Sequence, residues 1–79
     1  MRNYIYHSEG GDTKIEDRDS YIILQKEGQP MLKITKHDIY AMSLDAFVPI
    51  QRRKAENLVK NFREKVIKEG LKNGDCKAV

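Results

Sequence analysis

Apolar and polar side chains alternate over residues 2–7, with Tyr4 and Tyr6 on one side of an extended chain and Ile5 on the other. The pattern predicts a short strand there. Ser8-Glu9-Gly10-Gly11-Asp12 follows as a turn, because two glycines accept positive φ at low cost. Residues 13–19 hold Ile15 as their one apolar side chain, and read as a polar extension of the next strand or as loose chain. Tyr21-Ile22-Ile23-Leu24-Gln25 is apolar on both faces and predicts a central strand over about 20–26. Glu27-Gly28-Gln29-Pro30 is a turn. Met31-Leu32-Lys33-Ile34 returns from it as a strand over about 31–35, which begins at Pro30 or lies at an edge, because Pro30 cannot donate to a ladder.

The period then changes. Thr35 with Asp38 three residues on resembles a capping box, which predicts a short helix over about 36–42 that buries Ile39 and Met42. Pro49 suits a first helical position, where its missing N–H costs nothing. Beyond it Ala55, Leu58, Val59, Phe62 and Val66 recur on one helical face, and Gly70-Leu71 fits a left-handed stop. These signals predict a long amphipathic helix over about 49–69.

The expected fold is α+β in a single domain, residues 1–79. A small antiparallel hairpin or three-stranded sheet is packed by the long helix, with the short helix between them. Ile5, Ile22, Leu24, Leu32, Ile34, Ile39, Phe47, Leu58, Val59, Phe62 and Val66 form the expected core. A chain of 79 residues supports only a marginal core, so a homodimer is compatible with it.

Charge changes the picture more than composition does. Residues 1–51 carry six Lys or Arg against eight Asp or Glu, whereas residues 52–72 carry eight against three. A basic helix face can follow a phosphate backbone and release counterions. Arg53, Lys54 and Arg63 have no acidic partner on the helix, and Asn57 and Asn61 add hydrogen-bonding groups. These five are the candidate nucleic-acid contacts. Against them, Arg52-Glu56-Lys60-Glu64-Lys68 alternate in sign at four-residue spacing, which stabilises a helix without any partner. The acidic residues Glu9, Asp12, Glu16, Asp17 and Asp19 are the candidate protein-docking surface.

No catalytic residue or cofactor is expected. His7 and His37 are far apart in sequence and Cys76 is the single cysteine, so no usual metal-ligand set is present. Ser8, Ser20 and Ser43 lack the context of an activated nucleophile. The first residues are too polar for a signal peptide, and the longest apolar run is four residues, which leads to the expectation of a cytoplasmic protein without membrane contact. The functional expectation is a small non-enzymatic binding or regulatory module that contacts nucleic acid through the basic helix. The alternative is a protein-directed inhibitor or adaptor of phage or mobile-element type that blocks a host protein machine.

Overall fold

The computed structural model describes residues 2–42, 47–52 and 57–79. It is α+β, as the pattern implies, but its sheet is larger than predicted. Six strands form an antiparallel meander: β1 (Arg2–Tyr6), β2 (Thr13–Asp17), β3 (Ile22–Lys26), β4 (Met31–Ile34), β5 (Asp38–Met42) and β6 (Phe47–Arg52). A helix follows, and β7 (Cys76–Ala78) returns to pair with β1, giving the order β6-β5-β4-β3-β2-β1-β7.

Strand β2 takes up most of the polar stretch 13–19. Thr13, Ile15 and Asp17 point to one face, and only Ile15 is apolar. Alternation is present, but an inward position is filled by a carboxylate. The turns at either end are local. Gly11 adopts a φ of 115° between β1 and β2, and Asp19 a φ of 61° between β2 and β3. Gly28, at φ 76°, closes the β3–β4 turn, where the Gln29 N–H donates to the Lys26 carbonyl.

The predicted helix over 36–42 is not formed; β5 occupies that place. The Thr35 hydroxyl accepts from the backbone N–H of Asp38 at 3.1 Å, as a helix cap would. Here the Thr35 N–H also donates to the Asp38 carbonyl at 3.0 Å, which closes a hairpin turn between β4 and β5. Cap and turn share the same side-chain chemistry, and the alternating Asp38-Ile39-Tyr40 that follows suits a strand.

The long helix is likewise shorter than the predicted 49–69. Residues 47–52 are the edge strand β6, where Pro49 is tolerated because the outer side needs no donor. The helix starts after Asn57, whose φ is 64°. It is α-helical over Leu58–Phe62, π-helical over Arg63–Lys68 and α-helical again over Glu69–Asn73. Gly74, at φ 84°, ends it, so the left-handed stop falls four residues beyond the predicted Gly70.

Gly70 has a different task. It is buried within the helix, and a Cβ placed there would meet the Cys76 Cβ at 2.7 Å and the Tyr6 ring at 3.2 Å. Its missing side chain lets the helix press against β1 and β7. The core comprises Tyr4, Ile15, Ile22, Ile34, Val59, Ile67 and Cys76, with Tyr6, Leu24, Ile39, Leu58 and Phe62 packed around it. Ile5, expected in the core, lies on the opposite face and is half-exposed. Ile67, unexpected, replaces Val66 as the buried position of the last turns. The inward series Val59, Arg63, Ile67 advances by four residues. That spacing drifts around an α-helix, and the wider i→i+5 winding of the middle segment offsets the drift.

Candidate functional site

The inward face of β2 ends in Asp17, 8 % exposed. Arg63 reaches it from the helix, with Nε donating to Oδ2 at 2.8 Å and a terminal nitrogen donating to Oδ1 at 2.6 Å. The same nitrogen donates to the Asp19 carbonyl. The left-handed conformation of Asp19 turns that carbonyl toward the guanidinium, and the Asp19 N–H donates to Asp17 Oδ1 at 3.1 Å. The Arg63 guanidinium holds the Asp17 carboxyl below the usual carboxylate range, more strongly than burial raises it. Asp17 in turn holds Arg63 charged.

This pair joins one residue from each candidate set. Arg63, a candidate nucleic-acid contact, and Asp17, a candidate docking residue, neutralise each other between helix and sheet. Arg53 and Lys54 lie outside the described residues. Asn57 and Asn61 are exposed at the helix start, where the Asn61 N–H donates to the Asn57 carbonyl at 2.8 Å. The outward helix side carries Lys60, Lys65, Lys68 and Lys72 interleaved with Glu64 and Glu69. Among the described residues Lys60, Glu64 and Lys68 join none of the salt bridges, so the four-residue ladder does not close over the π-helical segment.

The acidic residues do not form one surface. Glu9 and Asp12 lie in the β1–β2 loop, while Asp17 and Asp19 lie at the other end of β2. Five residues of strand separate these ends by about 17 Å. Asp12 pairs with His7 at 2.9 Å, and Glu16 with Arg18 at 2.9 Å. His7 and His37 also fall at opposite ends of the sheet, and no group of three His, Cys, Asp or Glu among the described residues could hold a metal ion. Tyr4 and Tyr6 share a strand face as predicted, but that face is the one beneath the helix.

The helix crosses its sheet obliquely. Arg63 sits at the Asp17 end of β2, and Gly70 at Tyr6, which pairs with Thr13 at the other end. Among the described residues, this path leaves one corner of the helix-side face uncovered. There Thr13, Leu24, Lys26, Gln29, Pro30 and Leu32 line a groove of about 520 Å³. Leu24 and Leu32 are cross-strand partners on its floor, less completely buried than their neighbours Ile15, Ile22 and Ile34. Of the two leucines expected in the core, Leu24 packs against it and Leu32 lies at its margin, and no local signal marks where a helix docked from elsewhere in the chain will stop.

Both edges of the sheet are poor templates for a further strand. Pro49 removes a donor from β6. At the other edge β7 spans three residues, and Cys76 is 2 % exposed, main chain included. The face away from the helix carries Lys14, Lys33 and Lys77 together with Glu16 and Asp38, a mixture of both signs. No helix among the described residues is long and apolar enough to cross a membrane. No protein-family model matches the chain, and neither the curated proteins nor the solved structures yield a match.

Proposed function

We propose that this chain is a small non-enzymatic binding module directed at a protein. The observation that carries the reading is the apolar corner of the helix-side face, where Leu24, Leu32 and Pro30 floor an open groove. A small concave apolar surface with polar residues at its rim is what a partner's side chain would bury. A nucleic-acid contact instead calls for a field of one sign. On the helix the Arg63 charge is already met by Asp17, and Glu64 and Glu69 are interleaved among the four exposed lysines Lys60, Lys65, Lys68 and Lys72. This favours the protein-directed reading over the nucleic-acid one, and it moves the contact from the acidic stretch to the groove.

Affinity capture from native lysate, with and without nuclease, tests this reading when wild type is compared with Leu32→Gln. The expected result is one protein at fixed stoichiometry, retained after nuclease treatment and lost from the variant. Co-purified nucleic acid, released steeply by salt and held equally by the variant, would replace this reading with the helix contact.

A further inference from the structure

The groove has a chemistry of its own. Lys26, half-buried at its rim, forms no ion pair among the described residues. Its side chain leans across the β1–β2 loop, close enough that a Cβ on Gly10 would stand 2.7 Å from Nζ. Lys26 and Thr13 are cross-strand partners, and both line the groove at one end of the floor. Gln29 supplies an amide at the β3–β4 turn, and Leu24, Leu32 and Pro30 supply the apolar surface between. Glu9 and Glu27 occupy the adjoining turns, and neither forms a salt bridge with Lys26.

An occupant that satisfies these groups needs an aliphatic body for the floor and an anion for the ammonium. The geometry points to a peptide segment of a partner protein in which an aliphatic side chain is followed by a glutamate or aspartate. The aliphatic group lies on Leu24 and Leu32, and the carboxylate accepts from Lys26 and Thr13. Charge complementarity selects this occupant over a basic one, because a lysine in the same place would face Lys26. This assignment rests on the protein-directed reading above and adds the chemistry of the segment recognised.

The test uses acetyl-leucyl-glutamyl-glycinamide as the probe, with acetyl-leucyl-lysyl-glycinamide as the control. Methyl chemical shifts of the whole chain are followed during titration. The acidic probe is expected to move the Leu24 and Leu32 methyl signals saturably, and the basic control to bind about tenfold more weakly. Lys26→Gln should remove that preference while leaving the Ile15 and Ile22 signals in place, which shows that the core is intact. Leu32→Gln should weaken both peptides. Equal response to the two peptides, shifts confined to other residues, or no shift at all would overturn the proposed ligand chemistry. Stoichiometric capture that is lost in Leu32→Gln would then leave the protein-directed reading standing, so the two failures are distinguishable.

Discussion

Arg63 and Asp17, separated by 46 positions in sequence, form a two-pronged ion pair between the helix and β2. The carboxylate is largely buried and the guanidinium about one-third exposed. Removing one partner strands the other. Arg63→Gln is expected to lower unfolding free energy by about 2–4 kcal/mol, a range that allows for the solvent reaching Arg63. Replacing both residues with apolar side chains of similar volume should recover much of that loss. Urea unfolding of the two single variants and the double variant measures the coupling. A simple charge-neutralisation test of nucleic-acid binding must therefore treat Arg63 apart from Arg53 and Lys54.

The same pair gives the fold a dependence on acid. The Asp17 carboxyl is held below its ordinary value in the folded chain, chiefly by the hydrogen bonds from Arg63. A carboxylate of this kind contributes its full stabilisation above the unfolded-state pKa, near 3.9. That contribution is lost as pH falls through the lower folded-state value. Stability measured between pH 6 and about pH 2 should therefore fall less steeply in Asp17→Asn than in the wild type. Parallel curves for the two proteins would contradict the assignment.

Gly70 is set by packing. Gly70→Ala would gain about 1 kcal/mol of helix propensity on an exposed surface. Here the new Cβ meets Cys76 Cβ at 2.7 Å, so the helix must lift from β7. The net expectation is a loss of about 1–3 kcal/mol, read as a fall in Tm of roughly 5–15 °C. A raised Tm would show that the helix can shift without loss.

Cys76 is 2 % exposed, and burial pushes its thiol up. It should react with an aromatic disulfide reagent at neutral pH far more slowly than a free thiol, with the full rate returning in denaturant. Rapid labelling of the folded chain would mean that β7 opens readily.

The legible parts of the sequence are those whose cause is local. Tyr21–Gln25 reads as a strand because five consecutive residues suit one, and Gly28 marks its turn. The helix is legible from Leu58, Val59 and Phe62 because its period lies within a few residues. Thr35 and Pro49 misled for a shared reason: hydroxyl-to-backbone bonds and a fixed φ serve turns and edge strands as well as helix starts. Strand β2 was obscured because Asp17 takes an inward position, which makes sense only once Arg63 is beside it. The candidate groove was illegible on the same ground. Leu24 and Leu32 have the pattern of core residues, and only the oblique path of the helix leaves them less buried than Ile15, Ile22 and Ile34.

The return of β7 to β1 orders the events of synthesis. The five hairpin contacts of the meander join neighbours in sequence, whereas β1–β7 joins residues 4–6 to 76–78. Local pairings close early, and distant ones wait for the loop between them. On the ribosome, the meander therefore emerges with Tyr4, Ile15, Ile22 and Ile34 bare. Their face has no cover until the helix, Leu58–Asn73, has followed them out and settled on it.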